Sequence, residues 1–472
     1  DHVGAAVTYS NLLASFPLGH YALSAAYERA LALHRSGSAR AAIAQAQTLL
    51  SATNANRADV YWLLAESHYA LQEEEQAIQY YRLLSEQHPD APLAIEAGYR
   101  LARLLQKRNE LLPAAELFAK LADKRPDHPL ASQSLFAGAV CLSKLGRHEE
   151  AVREWGVLVQ KYPTNSLVED ALYQKAMSEI FLHRDPQAIA SMRDLLARYP
   201  STRHAAETRF WLGMLLDAAG QSRDAESELR QALKLAPAPE LERRVSFQLA
   251  LVLQRLGTHD EAATMLQRLL GTPIRDRMTP SLLEWLAEYY LDHKLPAKAE
   301  EAARIITAQT SSNGWRQVGY CLTGKALQLQ DRAAEAAEAF SKALEIEGVS
   351  EARAEAALRL GALSLATNGN AAARAYFERA AELARDDAFI PLRARAYAGI
   401  GKALKAQGDR EGAVKYFMSV ALLFDDPALV PECMGEAALL FKQLGRAEES
   451  DKVWQELAQR YPDSQQNKLR PR

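Results

Sequence analysis

Apolar positions recur with helical spacing on both sides of an abrupt break in the stretch QKYPTNSLVEDALYQKA, residues 160–176. Pro163 has no amide proton and its ring clashes with the preceding turn, so the first of these helices has to end near Tyr162. Ser166 stands three residues ahead of Glu169, the S-x-x-E spacing of a capping box, which predicts that a new helix begins at once. The proline is therefore a corner between two amphipathic helices. The same corner returns at Pro89, Pro126, Pro200 and Pro237, in steps of 37 residues. Two corners carry a second proline, Pro92 and Pro129, expected in the first turn of the next helix, where a missing N–H loses no bond.

A period of this size defines the architecture before any other feature is considered. Alanine recurs every 37 residues from Ala77 to Ala373, with Ala42 35 residues before this run, Ala413 40 residues after it and Ser450 37 further on. Twelve residues ahead of each stands another small residue: Gly213, Gly324, Gly361 and Gly401 in four repeats and alanine in the others. Two helices approach closely only where side chains are small, so the paired columns mark a helix-to-helix seam. Four residues after the second column come large plugs, among them Tyr81, Phe118, Trp155, Phe340, Phe377, Phe417 and Trp454, expected to fill the gap to the neighbouring hairpin. Between the helices, Gly37, Gly146, Gly220, Gly257, Gly408 and Gly445 suit a left-handed helix end.

The segment ADVYWLLAESHYALQEEEQAIQYYRLLSEQHP, residues 58–89, resembles the tetratricopeptide repeat at its small, large and proline positions, and the likeness covers nearly the whole chain. It departs from the usual length of about 34 residues by an excess that falls in the corner after the proline. The resemblance implies an all-α fold, an α-α superhelical solenoid of about twelve whole helix hairpins plus a leading half repeat. The expected divisions are 1–22, the second helix of a truncated repeat and its corner; 23–393, repeats one to ten; 394–462, repeats eleven and twelve after a three-residue insertion; and 463–472, a polar and basic tail. In that first segment Ala5 takes the small column, Tyr9 the plug and Pro17 the corner, so the chain is expected to be a fragment of a longer protein. Around RDDAFIPLR, 385–393, the insertion predicts either a bend or simply a longer loop.

Composition narrows the function. Basic and acidic residues number 56 and 59, a formal charge of -3, and the only basic block is the short tail NKLRPR, so no nucleic-acid partner is expected. The acidic cluster Glu73 to Glu75 falls in an interhelix turn and reads as a solvated surface. Residues 3–27 lack formal charge, but Pro17, Gly19, His20 and Asn11 argue against a membrane span. Cys141, Cys321 and Cys433 lie in the first helices of well-separated repeats, where they predict no disulfide. His148 and His259 share one turn position of the repeat, which explains them without a metal. With no phosphate loop, nucleophile elbow or Cys/His pair, no catalysis, metal or cofactor is expected.

One column reads as a candidate site. Three residues before the first small column stand Tyr27, Trp62, Tyr99, Phe136, Tyr173, Phe210 and Phe247; the next five repeats place Glu284, Cys321, Leu358, Ala398 and Gly435 there. The resemblance implies that first helices line a concave groove. The aromatics then either pack between repeats or form a ladder for an extended peptide, with glycan as the alternative ligand. Core packing is expected of Phe136 and Phe210, and groove exposure of Tyr99 and Tyr173. Glu66, Arg103, Lys107 and Lys144 on the same helices are candidate anchors, though they do not form the Lys/Asn carboxylate clamp of chaperone-binding relatives. The corners of the YP-x-S/T type, as at 199–202, also resemble those of bacterial cell-envelope proteins of the outer-membrane-lipoprotein and Tol-Pal-associated type. The expected function is a non-catalytic scaffold for other proteins in the periplasm or cell envelope. The alternatives are a cytoplasmic setting, and the periplasmic arm of a polysaccharide export machine.

Overall fold

The computed structural model describes residues 1–52 and 55–470; Pro471 and Arg472, the end of the expected basic tail, lie outside the described residues. Among those described there are 25 α-helices and no strand: His2–Ser15, then twelve antiparallel hairpins running from Ala22–Arg35 with Ala39–Leu50 to Leu429–Gln443 with Ala447–Arg460. The all-helical solenoid of twelve hairpins plus a leading second helix is thus the fold observed. The chain divides into two units, Asp1–Val252 and Leu253–Arg472. Within each, a helix packs on the helices next to it in sequence.

Every interhelix turn has the same construction. After the first helix of repeat four, Pro129–Lys144, Gly146 N–H donates to Ser143 O (3.0 Å) and Arg147 N–H to Leu142 O (2.9 Å), with Gly146 at φ +76°. This Schellman-type closure satisfies carbonyls that the helix end would leave free. All six turn glycines have positive φ, as their sequence position implied. The other six repeats hold the same conformation without glycine, at Gln72, Asn109, His183, Lys294, Asp331 and Asn368, with φ between +54° and +62°. A left-handed residue with a Cβ is strained by about 1–2 kcal/mol. Gln72→Gly and Lys294→Gly, both at exposed positions, should therefore each stabilise the fold by about 0.5–1 kcal/mol. A lower urea midpoint for both variants would show that the turn tolerates a side chain without strain.

At the corners the detail differs from the sequence expectation. The capping box is not formed: the helix Val168–Phe181 begins after Leu167 with no side-chain cap. Asn165 fills the role instead, its Oδ1 accepting from Leu167 N–H (2.9 Å), while Glu169 accepts from Thr202 of the next corner. The lengthened corner brings such groups into register, one repeat apart. Tyr162 Oη donates to Pro126 O (2.6 Å), Lys124 Nζ to Pro89 O (2.8 Å) and Asn165 Nδ2 to Ser132 Oγ (3.0 Å). Pro129 does open its helix, but Pro92 lies in the turn, two residues ahead of Ala94–Lys107. The acidic turn Glu73 to Glu75 is not merely solvated, because it pairs with His68 (2.6 Å), Lys107 (2.5 Å) and Arg108 (2.7 Å).

Both small columns are buried throughout the twelve hairpins, and the plugs close against them, whereas Ala5 and Tyr9 of the leading helix are only half-buried. A Cβ built at Gly324, Gly361 or Gly401 would lie 2.5, 2.7 or 2.7 Å from the rings of Phe340, Phe377 and Phe417 respectively. Phe377 is held on its other side too, since a Cβ at Gly399 of the following repeat would stand 2.5 Å from the same ring. The plug therefore occupies the space between its own hairpin and the next, and the glycines exist to admit it.

Repeat five breaks the apolar pattern. Glu179 takes the position at which the repeats on either side place Leu142 and Leu216, and it is only 3% exposed. Lys175 Nζ donates to Glu179 Oε1 (2.8 Å) and to Ser191 Oγ (2.8 Å), and Ser191 Oγ donates to Glu179 Oε2 (2.7 Å). The buried carboxylate is thereby both paired and hydrogen-bonded, the condition for retaining it in a core.

The insertion at 385–393 is neither a plain loop nor a break in the stack. It forms the short turn Asp387–Phe389 and the first turn of the helix Ile390–Gln407, which starts four residues ahead of the expected boundary at 394. Phe389 packs beside Leu383 and Leu392. Residues Gln465–Leu469 of the tail form another short turn against the last hairpin, tied by Arg470 to Asp451 (3.2 Å).

Candidate partner-binding groove

The seven column aromatics do not share one environment. Tyr27, Trp62, Tyr99, Phe136 and Phe247 are half-buried, whereas Tyr173 is 8% and Phe210 3% exposed. Burial together with Asp59 and Glu28 pushes the Tyr27 phenol up to about 12. Trp62 lies edge-on to the plug Tyr81 (5.8 Å) and Tyr99 edge-on to the plug Phe118 (5.6 Å), so these rings border the core and stay half-buried. Phe210 is core, as expected, with the Arg244 guanidinium 4.7 Å over its ring.

One of the four expectations fails, and another holds only in part. Tyr173 is not a groove residue: its ring stacks on His204 of the next repeat at 4.1 Å and 7°, and His204 Nε2 sits 2.8 Å from Asp170. Burial is the first cause of its raised phenol pKa, followed by the carboxylate of Glu207. Phe136, expected in the core, packs half-buried against it and on its outer side lines a cavity. The reason is the corner. In repeat five the following corner supplies His204 as a flat cover, while in repeat four it supplies Asn165, Ser166 and Leu167, which leave a gap.

The anchors separate likewise. Glu66 is occupied, since it accepts from the Tyr81 hydroxyl and lies 4.0 Å from Arg100. Lys107 pairs with Glu74. Lys144 is exposed and lines neither cavity described below. Arg103 is exposed and donates to Gln106 Oε1 (3.1 Å), without an ion pair among the described residues.

What the structure does bring together is Tyr99, Arg103, Lys107 and Phe136, along the first helices of repeats three and four. A cavity of about 440 Å³ is lined by Tyr69, Tyr99, Arg100, Arg103 and Lys107. A second, of about 300 Å³, is lined by Tyr99, Arg103 and Phe136 with the corner residue Asn165. Tyr99 and Arg103 are walls of both. Tyr69 and Arg100 were missed in the sequence, although Tyr69 stands seven residues after Trp62, a spacing that puts both on one helix face.

Three family models described as tetratricopeptide repeat match the chain: one at 99–166, 210–276 and 247–313, a second at 59–91, 170–202 and 436–464, and a third at 394–424. Together they span more than half of the 472 residues. The chain belongs to the tetratricopeptide-repeat family. Among solved structures, a tetratricopeptide repeat protein from Parabacteroides merdae is similar at 19% identity, over 57% of this chain and 98% of its own, with a TM-score of 0.35. Yeast Tom70 aligns at 14% identity over 87% of this chain and 93% of its own (TM-score 0.34). A chain of the APC/C hetero-tetramer Cut9-Hcn1 aligns at 14% over 99% and 92% (TM-score 0.35). The comparison with curated proteins gives no significant match.

In this tetratricopeptide array no group of three or more His, Cys, Asp or Glu among the described residues is placed to hold a metal. His148 opens its helix and stacks on Phe181 of the next repeat at 4.8 Å. All three cysteines are free and buried, and burial pushes the Cys321 and Cys433 thiols up to about 12, where they are poor nucleophiles at neutral pH. No helix among the described residues is long and apolar enough to cross a membrane.

Proposed function

We propose that the chain is a non-catalytic scaffold that holds partner proteins by extended segments laid along the first helices of repeats three and four, and that it does so in the bacterial cell envelope. Tetratricopeptide-repeat proteins bind other proteins or peptides. The observation that carries the site is the pair Tyr99 and Arg103, shared between two adjoining cavities. Tyrosine and arginine are among the side chains that most often dominate an interface, and here the ring is half-buried and the guanidinium has no carboxylate among the described residues. The envelope setting rests on the corner sequences alone.

An array of overlapping peptides from envelope proteins, probed with the purified chain, tests this reading. Tyr99→Ala and Arg103→Ala should each weaken the retained signals by about tenfold or more while the thermal melt stays close to wild type. Tyr173→Ala should do the reverse, costing about 3–5 kcal/mol of stability because its ring is buried. Peptides bound equally well by both groove variants would move the site elsewhere.

A further inference from the structure

Repeat eight breaks the aromatic column with Glu284, and on the same helix, Pro280–Asp292, Glu288 and Asp292 follow at four-residue steps. The three carboxylates share one face. None of them is in an ion pair among the described residues. Burial first, and then the neighbouring carboxylates of Glu288 and Glu351, raise the Glu284 carboxyl above the usual range, while Lys325 acts in the opposite direction.

Beside this row opens a cavity of about 650 Å³ within the second unit, lined by Trp285, Tyr289 and His259 together with Asp260, Glu288 and Asp292. Trp285 and Tyr289 lie 5.8 Å apart at 25°, and His259 is 5.6 Å from Trp285. The Tyr289 hydroxyl donates to Asp260 Oδ1 (2.6 Å), which fixes the ring and pushes its phenol up to about 12, so it remains uncharged. Aromatic faces beside unpaired carboxylates attract a cation and disfavour an acidic group. Between the two common cations of a polypeptide the choice falls on arginine, whose planar guanidinium stacks on a ring while donating to carboxylates in its plane.

We propose that this cavity takes an arginine side chain of a partner polypeptide. The proposal shares with the preceding section the reading of the chain as a peptide-holding scaffold, but it concerns a different site. The test uses a fluorescently labelled pentapeptide, Gly-Arg-Gly-Arg-Gly with blocked ends, and its citrulline analogue, which has nearly the same shape without the charge. Fluorescence anisotropy against the whole chain should show the arginine peptide binding at least about tenfold more tightly than the analogue. Trp285→Ala should weaken it by about tenfold and Glu288→Gln by several-fold. Arg103→Ala, in the other groove, should leave it unchanged, so failure here is distinct from failure of that groove. Circular dichroism checks the fold of Trp285→Ala; should that variant misfold, Glu288→Gln at its exposed position carries the test. Equal affinity for the two peptides, no loss in Glu288→Gln, or wild-type affinity in a folded Trp285→Ala would overturn the assignment.

Discussion

Lys175→Ala should destabilise the chain by about 3–5 kcal/mol, far more than the loss of a surface lysine, because it leaves the Glu179 carboxylate buried with only Ser191 to bond. Replacing all three members of the triad is expected to behave differently. Glu179→Leu restores the residue type of the flanking repeats, where Leu142 and Leu216 hold that position, and Lys175→Met with Ser191→Ala removes the polar groups that bonded to it. A buried ion pair exchanged for packed apolar groups is commonly neutral or stabilising, by about 1–4 kcal/mol. Urea unfolding followed by far-ultraviolet circular dichroism gives both values. A single variant that unfolds at the wild-type midpoint would mean that water reaches Glu179, contrary to its burial.

Trp155→Ala should cost about 3–5 kcal/mol and Trp155→Phe much less, about 1–2 kcal/mol. The indole is fully buried between hairpins and its Nε1–H has no hydrogen-bond partner among the described residues, so phenylalanine gives up packing volume but no bond. Repeats three, nine, ten and eleven already place phenylalanine at this position, at Phe118, Phe340, Phe377 and Phe417. The comparison isolates shape from polarity. Equal losses in the two variants would show that the indole makes a bond its surroundings do not reveal.

Most of the fold was legible because a repeat states each rule twelve times. The small columns, plugs and turn glycines are each set by local sterics, and their period survives substitution at single sites. Features that depend on one repeat meeting the next were not legible. Whether a column aromatic is core or groove is decided by the corner that follows, 31 residues later for His204 over Tyr173, and no periodic rule fixes that residue. The capping box failed for a related reason: Glu169 had a longer-range partner in Thr202 that outweighed the local bond. The left-handed turns at Gln72 and Lys294 were invisible because these residues, unlike Asn109, His183, Asp331 and Asn368, carry no preference for positive φ, and the helices on either side impose the conformation. Of the candidate anchors, Arg103 is exposed and bonded only to Gln106 among the described residues, while Glu66 found a phenol and Lys107 a carboxylate within the array.

The bonds that tie corner to corner also bear on how the chain acquires its structure. Tyr162 reaches back 36 residues to Pro126, Lys124 35 to Pro89, and Asn165 33 to Ser132. Contacts of that reach close only short loops, whose entropic cost is modest and nearly the same at every step. A nascent chain leaving the ribosome therefore meets each partner soon after it is made, and a hairpin can consolidate on its predecessor without waiting for distant sequence.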